Sequence, residues 1–463
     1  MKIPILNGIY SDGEPGLQSS YPVNLVPVVH ISGVSEGYLR PAEGIIQTGT
    51  GTGNCRGGIN WNGSLYRVMG SKLVKVASDG TVTTLGDVGD NGKQVSFDYS
   101  FDRLAVASNG NLFYWDGSAL TQVTDADLGT VLDLIWVDGY FMTTDGEFLV
   151  VTEINDPYSV NPLKYGSSEI DPDPVLGLLK LRNEVRAINR YSIETFANIG
   201  GTNFPFQRVN GAQITKGAIG TQAVCIYMET MAFLGSGRNE QPAVYMAQNG
   251  MAQRISTKTI DAILENYAEA QLSLVKLESR NDRENNFLYV HLPDQTLVYD
   301  FSVSQLAGEP VWFILNSGTR YNAINFVYAY DRWNCGDPAS SKVGYLTPTV
   351  GSHWGNVVTW EFGTQIFYNE SRGAIFSELE LVALTGRIIG PDVPSISTSY
   401  SLDGVTWSQD RSILIGALGD RFKRLVWFRQ GTMQTIRAQR FRGDSAAHIS
   451  FLRLEARIEP LQN

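Results

Sequence analysis

Three consecutive segments of this chain repeat one short pattern, in which apolar strands alternate with tight two-residue turns. The segments span residues 65–85, 104–123 and 134–151, and each contains three such strands. The turns include Asn109-Gly110 and Asp138-Gly139, and dipeptides of this kind adopt the positive φ angles that close hairpins require. A repeated unit of three or four short antiparallel strands is typical of a β-propeller blade. The repeat therefore predicts an all-β protein built around a β-propeller.

Less regular groups of strands continue to residue 350. A fourth group lies at 178–198, a fifth at 224–246, and a sixth begins at 287–301. The strands expected at 312–315, 324–329 and 343–346 either complete the sixth group or form a seventh. We therefore expect a propeller of six or seven blades over residues 51–350.

The regions on either side of the propeller have different sequence textures. Residues 1–50 are rich in Pro, Gly and Ser and show little periodicity, which favours an extended N-terminal arm. After residue 355 the expected strands lengthen and alternate apolar with polar residues, as at 364–368, 375–383, 396–402, 425–428 and 449–458. Such alternation is typical of a β-sandwich. We therefore predict a β-sandwich-like domain over residues 351–463.

One helix is expected within the propeller. Ser256 has a side chain suited to an N-cap, and Ile260, Ile263, Leu264 and Tyr267 follow at helical spacing. The apolar stripe of this helix packs either on its own blade or on a neighbouring subunit.

The charge of the chain is unevenly distributed. With 36 Lys and Arg against 47 Asp and Glu, the net charge is −11, which argues against non-specific DNA binding by the whole molecule. Between residues 411 and 457, however, ten Lys and Arg stand against three acidic residues, so this stretch carries +7 and the remainder −18. Six arginines of this stretch are candidate interface residues: Arg421, Arg424, Arg429, Arg437, Arg440 and Arg442.

The sequence leaves two interpretations of this basic stretch open. The first is a solvated or ion-paired face. The second is a contact with an acidic protein surface or with phosphate. Nine of the ten basic residues are arginine, whose planar guanidinium pairs well with carboxylates. Charged residues make up only 18% of the chain, which indicates that partners cover part of its surface.

The sequence gives little support to a catalytic, cofactor-binding or metal-binding site. The four histidines form no His-x-x-x-His motif, and the glycine-rich segment 48–58 lacks the Gly-Lys-Ser/Thr of a phosphate-binding loop. Cys55, Cys225 and Cys335 lack metal-ligand spacing and are expected to be buried, reduced thiols. We therefore expect no enzymatic activity, no cofactor and no metal.

Two local features complete the sequence-based expectations. Residues 401–407 predict a hairpin turn at Asp403-Gly404, with Trp407 packing into the sandwich. The chain shows neither a signal peptide nor an apolar run of about 18 residues. We therefore expect a protein made in a cytoplasm, without membrane insertion.

Several segments, taken in their order along the chain, resemble one known family. They include residues 147–166, 171–174, 192–196, 203–212 and 289–293. Together they resemble the packaged-DNA-stabilisation proteins of short-tailed, lambdoid Salmonella-type bacteriophages, which are the tail-hub or nozzle subunits of these phages. The resemblance extends over most of the propeller, from residue 35 to residue 345.

The resemblance implies a structural virion protein made in the host cytoplasm and located in the virion tail. Its expected partners are further copies of itself, as a hexamer, the portal-adaptor protein, a tailspike or tail fibre, and a tail needle or plug. DNA is expected to pass through the channel without sequence-specific binding. The alternative is a propeller that binds or hydrolyses glycans, and a glycosidase of this kind requires two carboxylates in the central funnel, roughly 5–10 Å apart.

Overall fold

A computed structural model describes residues 2–3, 5, 21–29, 37–154, 156–248, 250–369, 372–388 and 393–461. The described residues are mostly β-strand, which confirms the all-β expectation. The N-terminal part contributes four strands, β1 (Lys2–Ile3), β2 (Leu25–Val29), β3 (Gly37–Pro41) and β4 (Gly44–Thr50).

Seven antiparallel sheets follow one another in the described part of the chain, and each forms one propeller blade. Blades 1 and 2 contain β5 (Cys55–Trp61), β6 (Ser64–Met69), β7 (Lys72–Val76) and β8 (Val82–Asp87), then β9 (Ser96–Tyr99), β10 (Leu104–Ser108), β11 (Asn111–Trp115) and β12 (Leu120–Gln122). Blades 3 and 4 contain β13 (Asp133–Val137), β14 (Tyr140–Thr144), β15 (Phe148–Thr152) and β16 (Val160–Ser167), then β17 (Val175–Leu181), β18 (Glu184–Asn189), β19 (Ile193–Asn198) and β20 (Phe206–Arg208).

The remaining blades are built in the same way, although blade 5 has an additional strand. Blades 5 and 6 contain β21 (Gly217–Ala218), β22 (Val224–Tyr227), β23 (Thr230–Ser236), β24 (Ala243–Gln248) and β25 (Met251–Arg254), then β26 (Lys276–Asp282), β27 (Asn285–His291), β28 (Thr296–Asp300) and β29 (Trp312–Leu315). Blade 7 contains β30 (Ile324–Ala329), β31 (Arg332–Gly336) and β32 (Lys342–Thr347), with β4 as its fourth strand.

The blades close into a ring around a central axis. Strands β5, β9, β13, β17, β22, β26 and β30 each contact the next in this order, and β30 contacts β5. The sequence left a choice between six and seven blades, and the structure has seven. The strand at 312–315 completes blade 6, and the strands between 324 and 347 belong to blade 7.

The N-terminal strand β4 seals the ring. It pairs antiparallel with β32, so that Ile45 lies opposite Leu346 and Thr50 opposite Lys342. A Cβ on Gly49 would lie 2.0 Å from the carbonyl oxygen of Gly80 in blade 1, so this position admits only glycine. Part of the predicted N-terminal arm is thus built into the propeller, and residues 6–20 of that arm lie outside the described residues.

Three α-helices and one 3₁₀ turn interrupt the strands of the described propeller. They are the 3₁₀ turn Ala126–Leu128, α1 (Lys258–Glu265), α2 (Glu269–Leu272) and α3 (Phe301–Ala307). The N-cap of α1 is Thr257 and not Ser256, since the Thr257 hydroxyl accepts a hydrogen bond from the Ile260 amide. Ile260 and Leu264 are buried in the apolar core of blades 5 and 6. The helix therefore packs on its own propeller.

The second domain is a two-sheet β-sandwich, as the sequence predicted. Its strands are β33 (Thr359–Gly363), β34 (Phe367–Tyr368), β35 (Ala374–Ala383), β36 (Ser395–Ser401), β37 (Arg411–Leu414), β38 (Leu425–Phe428), β39 (Thr432–Met433), β40 (Ile436–Asp444) and β41 (Phe451–Pro460). One sheet has the order β2-β3-β41-β35-β38 and the other β33-β40-β36-β37. Phe362, Phe376, Phe441 and Phe451 form the centre of the core between them.

The Asn24 side chain is one of the links between the two domains. The amide of Asn24, at φ +54°, donates to the carbonyl oxygens of Asn316 and Thr359, at 2.7 Å each, and accepts from the Asn316 amide at 3.0 Å. Asn316 follows the last strand of blade 6, and Thr359 begins the sandwich. The N-terminal segment is therefore shared between the propeller and the second domain. The predicted bounds of 50/51 and 350/351 remain predictions.

Candidate functional site

The first strands of six blades surround a cavity of about 360 Å³ at the propeller axis. Most of its lining is apolar or backbone, but four charged side chains reach it: Asp98 on β9, Asp133 on β13, Lys180 on β17 and Lys276 on β26. These side chains were not singled out from the sequence. In the sequence, the only indication of these residues was that a charged residue stood in the short first strand of a repeat.

Asp98 connects blade 2 to blade 3. Its carboxylate accepts a hydrogen bond of 2.6 Å from the amide of Trp136 on β13. Lys180 lies 3.7 Å from the same carboxylate and donates to the carbonyl oxygen of Trp136 at 2.7 Å. Burial raises the pKa of Asp98, and the Trp136 amide and Lys180 oppose this rise. Asp98 therefore acts as a clamp between neighbouring first strands.

Asp133 makes the corresponding connection from blade 3 to blade 4. One carboxylate oxygen accepts from the amide of Leu134 at 2.9 Å, and the other accepts from the amide of Leu178 on β17 at 2.8 Å. Complete burial raises the pKa of Asp133 to about 6, although these bonds and the Ser96 hydroxyl favour the ionised form.

Glu278 on β26 repeats the arrangement between blades 6 and 7. Its two oxygens accept from the amides of Asn325 at 2.8 Å and Phe326 at 2.9 Å, both on β30. Lys276 lies 3.4 Å away. Burial favours the neutral acid, but Lys276, His291 and the two amides outweigh burial and lower the pKa of Glu278. Three carboxylates of the axis thus tie first strands together.

The bonds of these carboxylates determine whether they can act as catalytic groups in the axial cavity. Asp98 and Asp133 both line the cavity, as a propeller glycosidase requires. However, both Asp133 oxygens are bonded to backbone amides, and Asp98 is held by Trp136. Carboxylates engaged in this way are poorly placed to transfer protons to a substrate. Their geometry fits a role in holding the ring closed.

Metal and thiol chemistry find no support in the described residues. No group of three or more His, Cys, Asp or Glu side chains there is arranged to hold a metal ion. Cys55 and Cys335 are buried, Cys225 is half-buried, and all three are free thiols. Burial raises the pKa of Cys335 to about 12, so this thiol is unreactive. Within the described ranges, no helix has both the length and the hydropathy needed to span a bilayer.

The six candidate arginines do not form one surface. Arg421 and Arg429 are exposed. Arg424 is exposed and forms a two-point ion pair with Glu380, one bond being 2.8 Å long. Arg442 is half-buried and lies 2.6 Å from Glu361.

Arg440 and Trp407 form a pair at the surface of the sandwich. The guanidinium of Arg440 lies 4.0 Å from the centre of the Trp407 ring. Trp407 is partly exposed, so it does not pack into the core as the sequence suggested. The hairpin turn before it is present, because Asp403 accepts from the amides of Val405 and Thr406.

Arg437 lies in the core of the sandwich, with none of its surface exposed. Its guanidinium is stacked between Phe376 and Tyr400, at 4.2 and 4.0 Å from the ring centres, and donates to the Gln430 carbonyl oxygen at 2.8 Å. No partner reaches this side chain in the folded domain. The structure therefore removes Arg437 from the set of interface candidates.

Comparison with known proteins places both domains in one family. The family model described as bacteriophage P22 Gp10, beta-propeller, matches residues 1–351, and the model described as bacteriophage P22 Gp10, beta-sandwich, matches residues 359–459. The chain belongs to the P22 Gp10 family. This membership confirms the resemblance found in the sequence. A curated relative is the tail hub protein gp10 of Salmonella phage P22. It is 26% identical over an alignment of 483 positions, gaps included, that covers 99% of each chain.

The solved structures that match this member of the P22 Gp10 family are less similar to it in sequence. The N-terminal domain of Nup159 is 10% identical, with a TM-score of 0.41 over 71% of this chain and 99% of that chain. The Pan2 WD40 domain of Neurospora crassa is 9% identical, with a TM-score of 0.40 over 65% and 95%. We base no assignment on these two structures.

Proposed function

We propose that this protein is a structural subunit of a phage tail hub, located in the tail of the virion. One observation carries this proposal: the relative named as the tail hub protein of phage P22 aligns with 99% of the chain, through both domains. The order of propeller and sandwich is the same in the matching family models.

In more detail, we propose that six copies of the chain form a hexameric ring below the portal and its adaptor. The ring closes the channel, retains the packaged DNA, and attaches tailspikes or fibres and a needle or plug. The cavity of about 360 Å³ on the propeller axis is far smaller than a DNA duplex. DNA therefore passes between subunits, through the middle of the ring, and not through a propeller.

The same proposal assigns no enzymatic activity to the chain. The alternative, a propeller that hydrolyses glycans, is not favoured, because Asp133 uses both its oxygens to join blades 3 and 4. Incubation with host-surface glycans is expected to release no product. Glycan hydrolysis by the wild type would instead support a hydrolase if Asp98→Asn and Asp133→Asn each abolished it while the protein stayed folded.

Removal of the gene that encodes this chain from its phage tests the proposed function. Particles that lack the protein are expected to package DNA and then lose it, so their DNA becomes sensitive to added nuclease. Electron microscopy is expected to show heads with a portal and no tail hub, and expression of the chain in trans restores both properties. Particles that keep their DNA and a complete tail without the protein would refute the proposal.

A further inference from the structure

One side of the sandwich exposes an unusual amount of apolar surface. Strands β37 and β38 lie at the ends of their sheets, and with the segment that connects them they form what we name the edge surface, residues 411–429. Phe422 is 96% exposed and Leu418 is 74% exposed, and Leu414 and Phe428 in the flanking strands are exposed as well. Large apolar side chains that are exposed together in one short segment are typical of a docking surface.

The edge surface is held in a defined shape. The indole of Trp427 on β38 donates to the carbonyl oxygen of Arg411 on β37 at 2.8 Å. The amide of Gly419 donates to the carbonyl oxygen of Gly386 at 3.1 Å, and Ile415 is buried in the sandwich core. The connecting segment therefore presents Leu418 and Phe422 outward from an anchored turn.

The apolar residues of the edge surface are surrounded by positive charge. The surface contains five basic residues and one acidic residue, Asp420, so its net charge is +4. The basic residues are Arg411, Arg421, Lys423, Arg424 and Arg429. Arg424 is paired with Glu380, and the other basic residues leave a positive surface. Such a surface suits an acidic partner that carries some apolar side chains.

The propeller of the same chain carries a surface with these properties. Three loops, at 123–132, 145–147 and 168–174, leave blades 2 and 3 on one face of the propeller, and we name them the acidic loop face. They contain seven acidic residues and no Lys or Arg: Asp125, Asp127, Asp145, Glu147, Glu169, Asp171 and Asp173. The apolar side chains of Leu132 and Ile170 are exposed among them.

The acidic residues of neighbouring loops lie close together. A Cβ on Gly129 would lie 3.8 Å from the Asp145 carboxylate, and Asp127, Asp145 and Asp125, after burial, all raise the pKa of the Tyr165 hydroxyl. The third loop adjoins these two, because the Val175 amide at its end donates to the Gly146 carbonyl oxygen at 3.0 Å. This clustering makes the loops a single negative surface.

The two surfaces belong to opposite parts of one molecule. The sandwich is attached at blades 6 and 7, through β2 and Asn24, whereas the acidic loop face belongs to blades 2 and 3. Blade 1 separates the two regions on one side of the ring, and blades 4 and 5 separate them on the other. A contact between the surfaces is therefore a contact between two copies of the chain.

We propose that the edge surface of one copy docks on the acidic loop face of the next copy. The contact is head-to-tail, so repetition around a rotation axis produces a closed ring. Phe422 and Leu418 pack against Leu132 and Ile170, and the surrounding arginines face the carboxylates. This inference rests on the proposed function, because it assigns the subunit contact of the hub.

Paired cysteines in assembled particles test the contact directly. Phages that carry Phe422→Cys together with Leu132→Cys are expected to yield, on mild oxidation, covalent multimers of the chain on a non-reducing gel. Each single-cysteine variant is the control and is expected to remain monomeric on the gel, because Cys55 and Cys335 are buried and burial raises the pKa of the half-buried Cys225 thiol. Complete hubs that contain the double variant but give no multimers would overturn the inference and leave the hub function intact.

Charge reversal and exchange provide the second test. Arg421→Glu with Lys423→Glu, or Asp125→Lys with Asp127→Lys, is expected to reduce the yield of DNA-retaining particles by about tenfold or more. The four changes together are expected to restore most of this yield. Arg283→Glu, at an exposed turn of blade 6 outside both surfaces, is the matched control and has little effect. Normal yields from both reversed pairs, or no recovery when all four changes are combined, would refute the inference. DNA-retaining particles that assemble without any copy of the chain would instead refute the proposed function.

Discussion

Replacement of Arg437 by alanine is expected to destabilise the sandwich by about 3 kcal/mol. The side chain is fully buried between Phe376 and Tyr400, and the ring contacts of a desolvated guanidinium contribute about 1–2 kcal/mol each. Arg437→Ala also leaves the Gln430 carbonyl and the Gln439 side-chain oxygen without this donor, at about 1–3 kcal/mol each.

The burial of the charge offsets part of this loss. Burial lowers the pKa of Arg437 from 12.5 to about 10, which corresponds to about 3 kcal/mol that burial takes from the charged form. Removal of the guanidinium recovers this free energy, while the cavity left behind adds a further cost. These ranges leave a net loss of about 1–7 kcal/mol before the cavity cost. We expect about 3 kcal/mol, the size typical of a disrupted buried interaction network.

Urea unfolding measures this effect. Near-ultraviolet circular dichroism and tryptophan fluorescence follow the transition of the sandwich, whose core contains Trp360 and Trp427. Arg457→Ala, at a side chain that is 75% exposed, is the control and is expected to change the free energy of unfolding by less than about 0.5 kcal/mol. If Arg437→Ala is as stable as this control, or if it abolishes subunit assembly without loss of stability, the assignment of Arg437 to the core is refuted.

Three further perturbations test other parts of the structure. Asp133 has a folded-state pKa of about 6 against 3.8, so its protonation adds stability that is complete below pH 3.8 and is lost as the pH rises through 6. From pH 7 to pH 4, the free energy of unfolding obtained from urea titrations is expected to rise for the wild type relative to Asp133→Asn by up to about 3 kcal/mol, and parallel pH profiles would contradict this. Gly49→Val is expected to detach β4, because the new Cβ would lie 2.0 Å from a backbone oxygen of Gly80. Limited proteolysis is expected to cleave this variant rapidly near residue 45. The control variant Thr50→Val, at a neighbouring exposed position, is expected to stay resistant to the protease. Asn24→Ala is expected to cost about 2–4 kcal/mol, since it removes three hydrogen bonds that join the domains, and an unchanged calorimetric profile would exclude that role.

The blades with tight turns were predictable from the sequence, because turn chemistry is local. Asn109 and Gly110 have φ angles of +52° and +78°, and Asp138 and Gly139 have +49° and +91°. These are the hairpins that the dipeptides predicted in blades 2 and 3. The seventh blade was not predictable in this way, since Ile45 and Leu346 pair across about 300 residues and neither segment carries a local signal of its partner.

The position of Arg437 was missed for a different reason. No strand was expected from the sequence at Ile436–Asp444, where the structure has one. Side chains alternate between the two faces of a strand. In this strand Arg437, Gln439 and Phe441 point to one face and are buried, whereas Arg440 and Arg442 point to the other and are partly exposed. Recognition of the strand would have placed Arg437 on the same face as Phe441. The carboxylate clamps at the axis required the ring itself, because each one joins two different blades.

The position of the N-terminal strands sets an order of events during synthesis of the chain. Strand β4 pairs with no other strand until β32 has left the ribosome. Strands β2 and β3 can pair early, but β1 and the second edge of β3 wait for β41. The residues made first are therefore among the last to reach their final places. The propeller therefore cannot close before β32 has been made, and the sandwich cannot be completed before β41 has been made.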